Sequence, residues 1–112
     1  MDRRALGQHG EDLVVSWYVE RGGVVVARNW RTRYGELDLI VRVGDSLVFC
    51  EVKTRTSTRQ GHPFEAVTPM KQQRIRGLAL QYLQAIGGHP GPLRFDVAAV
   101  MGDSVEVLTA AF

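Results

Sequence analysis

The stretch Gly35-Glu36-Leu37-Asp38-Leu39-Ile40-Val41-Arg42, followed by Leu47-Val48-Phe49-Cys50-Glu51-Val52-Lys53, decides how this chain is read. Both segments alternate apolar and polar residues as half-buried strands do, and Gly44-Asp45 between them is a two-residue hairpin signal. A symmetric turn there sets Val43 opposite Ser46, Val41 opposite Val48, Asp38 opposite Glu51 and Glu36 opposite Lys53. Alternation along a strand sends Glu36, Asp38, Glu51 and Lys53 out of one face. Two carboxylates then stand roughly 5 Å apart at Cβ, where like charges destabilise a sheet. One relief is a hard divalent cation taking oxygen ligands. The competing one is an ordinary pair of Lys53 with Glu36 or Asp38, contributing only ~0–1 kcal/mol. Lysine usage favours the first, because among 14 basic residues only Lys53 and Lys71 are lysines. A chain that uses arginine for general surface charge places the compact ammonium, whose pKa burial can move, beside paired carboxylates.

Working outward, 112 residues make one domain, residues 1–112, with room for a real core. The 45% hydrophobic and 23% charged content is that of an ordinary globular chain. No apolar run approaches the ~20 residues of a membrane span. Met1-Asp2-Arg3-Arg4 leads into an amphipathic pattern rather than a signal-peptide core. Cys50 is the single cysteine, which excludes an internal disulfide and suits a reducing cytoplasm. On its strand it faces away from Glu51, toward the interior, and is expected to be structural.

Asp2 is placed to cap a first helix that runs to about Arg21, where Gly22-Gly23 ends it. Leu6, Gly10, Leu13, Val14 and Trp17 recur at helical spacing, with Glu11 at the margin of that face. Val24 to Ala27 reads as a short, fully buried strand and Asn29 to Tyr34 as a loop. Thr54 to Val67, polar and containing Gly61 and Pro63, reads as a mobile connection. Thr68-Pro69 opens a second helix whose apolar stripe is Ile75, Leu78, Ala79, Tyr82, Leu83 and Ile86, with Gly87-Gly88 ending it. Lys71 sits on its sheet-facing side, near a helix start that already attracts anions. Leu93 to Val100 and Val105 to Leu108 are two further strands. The expected architecture is α/β, in the order α-β-β-β-α-β with an extra C-terminal strand, a mixed sheet flanked by helices. Arg28, Arg31 and Arg33 cluster around Trp30 and Tyr34, while Arg55, Arg59, Arg74 and Arg76 follow the hairpin. Arginines interleaved with aromatics suit phosphate contact and base stacking, or form a solvated basic rim.

This order, with Asp38 on one strand and Glu51-Val52-Lys53 on the next, resembles the PD-(D/E)XK nuclease superfamily and its restriction-endonuclease-like three-layer fold. More narrowly, the chain is similar to the YraN-like family of small bacterial proteins related to archaeal Holliday-junction resolvases. The residues that carry the resemblance are Gly10-Glu11, Asn29-Trp30-Arg31, Gly35 to Ile40, Phe49 to Arg55, Lys71 and Arg94-Phe95-Asp96-Val97. Leu37 stands where the superfamily's name has proline, and Cys50 where this family is more often aliphatic. The resemblance implies Mg²⁺ or Mn²⁺ held by Asp38, Glu51 and the main-chain carbonyl of Val52, with Glu11 binding directly or through water. It implies that Lys53 orients or deprotonates the attacking water, in keeping with the charge stabilisation phosphoryl transfer needs. Glu36 would partner Lys53 or an arginine.

His9, His62 and His89 lack the spacing of a zinc site, and no phosphate-binding Gly-Lys-Ser/Thr loop is present. The leading expectation is therefore a metal-dependent DNA endonuclease, serving repair or recombination on branched or duplex DNA, with catalytic residues Asp38, Glu51, Lys53 and Glu11. Arg28, Trp30, Arg31, Arg33, Tyr34, Arg55, Lys71 and Arg74 are its expected nucleic-acid contacts. A homodimer suits a junction cutter, which must cut two strands symmetrically. The alternative is a nucleic-acid-binding module that keeps the fold with little or no turnover. A metabolic enzyme using the carboxylate pair fits the arginine-aromatic segment poorly.

Overall fold

A computed structural model describes residues 2–57, 59 and 61–112. Its elements are α1 (Arg3–Glu20), β1 (Val24–Thr32), β2 (Gly35–Val43), β3 (Ser46–Arg55), a 3-10 turn (Pro63–Ala66), α2 (Pro69–Ile86), β4 (Leu93–Met101) and β5 (Ser104–Leu108). The strands form one sheet in the order β1-β2-β3-β4-β5. Only β3 and β4 pair parallel; the other neighbours are antiparallel. A parallel pair needs a crossover, and α2 supplies it. The helices cover opposite faces. On one face Val14 and Tyr18 of α1 cluster with Leu39, Val41, Val48, Cys50, Ala98 and Val100 of the sheet. On the other, Ile75, Leu78 and Tyr82 of α2 cluster with Leu37, Ile40, Leu47, Phe49, Phe95 and Val97. This is the three-layer α/β arrangement that the element order implies.

Both helices begin where their caps say. The Asp2 carboxylate accepts from the Ala5 N–H at 2.7 Å, and the Thr68 hydroxyl accepts from the Lys71 N–H at 3.3 Å. Gly87 closes α2 in the left-handed region at φ 84, which glycine adopts without a steric cost. The buried centre of α1 is Gly10, Val14 and Tyr18, while Leu6, Leu13 and Trp17 are half-buried at its margins. Ile86, expected in the α2 stripe, lies 48% exposed on the last turn.

Two boundaries differ from the sequence reading. Val24 to Ala27 is not a short buried strand followed by a loop: β1 continues to Thr32, and only the Arg33-Tyr34 turn separates it from β2. It is an outer strand with one covered face, so its residues alternate and Val26 stays 43% exposed. Three consecutive valines read as burial on both faces, which an edge position does not provide. At the other boundary, Thr54 and Arg55 belong to β3, because β4 offers them partners in Val100 and Met101. The connection expected to be mobile is thus shorter and contains the Pro63–Ala66 turn; Thr58 and Gln60 within it lie outside the described residues.

The β2–β3 register runs from Val43–Ser46 to Leu39–Cys50, as the Gly44-Asp45 turn dictates. There the ladder ends. Leu37 belongs to the α2-side cluster and Leu39 to the α1-side cluster, although regular alternation puts residues two apart on one face. The alternation slips at Asp38-Leu39. On β1, Asn29 lies at the same level, between the Arg28–Leu39 and Trp30–Leu37 pairs, and has a left-handed φ of 52. Both strands are therefore irregular beside Asp38, the kind of local strain that collects at functional positions.

Candidate functional site

Where the ladder stops, a side chain takes its place. The Val52 N–H donates to Asp38 Oδ2 at 2.9 Å, so the carboxylate stands in for a main-chain acceptor between the two strands. The direct Glu36–Lys53 opposition expected from an unbroken hairpin does not form. Glu36 instead faces Arg31 across β1, Nε to Oε2 3.1 Å, and Lys53 reaches its own neighbour Glu51, Nζ to Oε1 3.4 Å. Lys53 and Glu51 are 21% and 16% exposed, so their attraction is less screened than that of a surface pair.

The expected carboxylate repulsion shows in the protonation of Asp38. Burial, then the charge of Glu51, push its carboxyl up to about 8, and the Val52 N–H and the Lys53 ammonium offset only part of this. Glu11 enters from α1. Burial raises its carboxyl above the usual range, a hydrogen bond from Asn29 works against that, and the charge of Asp38 adds to the rise. The Asn29 amide donates to Glu11 Oε1 at 3.0 Å, and the Arg28 guanidinium lies 3.6 Å from the same oxygen while binding Asp12 at 2.7 Å.

Gly10 explains how a helix comes close enough to deliver Glu11. A Cβ on Gly10 would collide with the Thr54 hydroxyl oxygen and lie 3.2 Å from the Thr54 Cβ. Without a side chain there, α1 lies directly against the end of β3, and Glu11 hangs over Asp38.

Glu11, Asp38, Val52, Lys53 and Arg55 line one open cleft of about 280 Å³, together with Arg3, Leu6, Gly7 and Thr54. A second hollow of about 320 Å³ adjoins it through Arg3, Gly7 and Glu11 and extends to Arg4, Asn29, Arg31 and Glu36. The structure thus gathers Glu11, Asp38, Glu51, Lys53, Val52, Arg55, Arg28 and Arg31 around one place. Five of the expected nucleic-acid contacts point elsewhere or stand on another layer. Trp30 packs edge-to-face on Tyr82 at 5.3 Å, on the α2 side of the sheet. Arg33 and Tyr34 pair with each other at the tip of the β1–β2 turn, Nη2 to Oη 2.6 Å. Lys71 and Arg74 belong to α2, on the face opposite α1.

Sequence reasoning missed Arg3, Arg4 and Gly7. A signal exists: Arg3, Gly7 and Glu11 are spaced four apart and fall on one helical stripe. Asp96 has a different role. It is fully buried and accepts from the Tyr18 hydroxyl at 2.6 Å, from Arg94 twice at 2.9 Å and from the Ala110 N–H at 3.0 Å. With its acceptors satisfied, it ties α1, β4 and the C-terminal residues together. The Cys50 thiol lies beside that network, 2% exposed and with its pKa raised by burial, as expected of a structural cysteine.

Among the described residues, no three histidine, cysteine or carboxylate side chains converge as a complete set of protein metal ligands would. No helix among them is long and apolar enough to cross a membrane.

A five-stranded mixed sheet between two helices, with an acid pair and a lysine where its central hairpin splays, defines a small α/β protein with an acid–lysine cleft. The chain belongs to Uncharacterised protein family UPF0102, whose model matches residues 10–100 and so spans Glu11, Asp38, Glu51 and Lys53 but not Arg3 or Arg4. It is similar to a UPF0102 protein of Rhodococcus jostii, 56% identical over 97 residues, covering 87% of this chain and 82% of the relative. One from Leifsonia xyli is 46% identical over 96 residues, with 86% and 81% covered. One from Anaeromyxobacter dehalogenans is 47% identical over 114 residues, with 98% and 85% covered.

Proposed function

We propose that this protein is a divalent-cation-dependent DNA endonuclease of the PD-(D/E)XK type, acting on branched or recombination intermediates. The observation that carries the reading is half-buried Asp38 and Glu51 held together at the cleft with Lys53 3.4 Å from Glu51, the Asp38 carboxyl raised first by burial and then by the Glu51 charge. Two acidic groups held together against their repulsion form a ready site for a hard cation. Asp38, Glu51 and the Val52 carbonyl would hold Mg²⁺ or Mn²⁺, with solvent completing the oxygen set and Glu11 acting directly or through water. The bound cation would supply positive charge beside the phosphate during hydrolysis. Lys53 orients the attacking water and stabilises charge building on the phosphate oxygens. Asn29 and Arg28 keep Glu11 turned toward the cleft.

A second reading, a nucleic-acid-binding module with little turnover, draws support from Glu11 being already engaged by Asn29 and Arg28. One experiment separates the two. The purified chain is incubated with linear, flap and four-way-junction DNA, with and without Mn²⁺, alongside Lys53→Ala. Mn²⁺-stimulated cleavage that the variant loses supports the enzyme. Binding of the same DNAs by both proteins, with no cleavage under any condition, leaves the binding module.

A further inference from the structure

We propose that the hollow at the end of β3, formed by Arg3, Arg55, Arg59 and the hydroxyls of Thr54, Thr56 and Ser57, is a phosphate subsite. It would take the strand phosphate next to the one cut in the adjoining cleft. The inference rests on the endonuclease reading for the identity of its ligand. The hollow has a volume of about 240 Å³ and shares Arg3, Leu6, Thr54 and Arg55 with the carboxylate cleft, so the two are contiguous.

Its charge is unlike that of Arg28 and Arg31 beside the cleft. Arg28 is bound to Asp12 and close to Glu11, and Arg31 is bound to Glu36. Among the described residues, Arg3, Arg55 and Arg59 pair with no carboxylate, and no acid lines the hollow. Three guanidinium groups around one small volume repel one another until an anion lies between them. Arg55 carries the clearest mark: it lines the hollow, and its Nε is buried with no hydrogen-bond partner, a spare donor that a turn of the guanidinium would present to a phosphate oxygen. Arg3 stands in the first turn of α1, where the helix dipole favours anions and disfavours a cation. A phosphate in the hollow removes both costs, and the three hydroxyls add donors of matching size.

The phosphate could come from a strand or from free phosphate, and the test separates them. Metal-free protein is titrated with inorganic phosphate and, separately, with a short single-stranded oligonucleotide, following backbone amide signals by NMR. The oligonucleotide should shift Thr54, Thr56 and Ser57 more tightly than inorganic phosphate does. Arg59→Gln, an exposed change that leaves the core alone, should weaken both about tenfold, and Arg33→Gln should weaken neither. Asp38→Asn should retain the binding. No shift at these residues with either ligand overturns the subsite. Inorganic phosphate bound as tightly as the oligonucleotide, and not displaced by it, overturns the assignment to a strand. DNA cleavage at the parental KM by Arg59→Gln also overturns it while leaving the nuclease intact. Conversely, oligonucleotide shifts without cleavage under any metal condition sink the endonuclease reading and leave the phosphate site standing.

Discussion

The proton of Asp38 is held by burial first and then by the neighbouring Glu51 charge, with the Val52 N–H and the Lys53 ammonium opposing them. The sign of their effect on stability follows directly. The folded protein keeps a proton on Asp38 up to about 8, whereas the unfolded chain releases it near 3.8. Between those values the folded state binds more protons, so metal-free stability should fall as pH rises through the window. Asp38→Asn removes the dependence, and thermal melts at pH 8 without metal should find the variant more stable by about 1–3 kcal/mol. Mn²⁺ competes with the proton, so it should raise the parent's Tm more at pH 8 than at pH 6 and leave Asp38→Asn unmoved. A variant that melts with the parent at both pH values, with and without Mn²⁺, would remove Asp38 from the cation site. Lys53 gives a second test. Lys53→Ala should lower cleavage by ~10²–10³ while DNA affinity, measured by fluorescence anisotropy, stays nearly parental. These residues are legible in the sequence because a two-residue turn sets the register of everything attached to it. The fate of Glu36 is not, because the slip at Asp38-Leu39 and the reach of Arg31 depend on β1, whose position no local pattern states.

Among the elements, the contact of α1 with β3 controls the cleft most directly. Gly10→Ala places a methyl against Thr54, and overpacking of this kind costs about 1–3 kcal/mol. In a Thr54→Ala background the hydroxyl is gone and only the Cβ contact at 3.2 Å remains, so the same change should cost clearly less, helped by the preference of alanine over glycine for helix. Chemical denaturation of the four proteins reads the difference; equal effects in both backgrounds would place the helix further from the strand. Helix limits were legible from Asp2, Thr68-Pro69 and Gly87 because caps act locally. The extent of β1 and β3 was not. Thr54 and Arg55 are polar and lie beside turn-forming residues, and only the arrival of β4 gives them strand partners. The same reasoning separates Arg55, fixed in the cleft by its strand, from Lys71 and Arg74, which sequence proximity set beside the cleft and the crossover carries to the other face.

Over the whole molecule the paired and unpaired arginines divide the surface. DNA affinity should fall with salt, and each phosphate contact removed should lower the logarithmic slope by about 0.9 on duplex DNA. The change Arg3→Gln with Arg59→Gln should flatten that slope more than Arg31→Ala with Arg33→Ala, because Arg31 is already matched by Glu36. Anisotropy titrations across salt concentrations decide it; equal slopes for the two double variants would mean that ion pairing within the protein does not select the DNA path. The single parallel pairing in the sheet has another consequence. β2 and β3 are joined by two residues and can zip together locally, whereas β4 cannot dock beside β3 until the intervening helix has formed and closed a long loop. Every group assigned to the cleft lies before that crossover, at position 59 or earlier. Refolding should therefore raise a hairpin bearing the acid pair first and seal it from behind later. Pulsed hydrogen-exchange labelling should protect the amides of Val41 and Val48 before those of Ala98 and Val100.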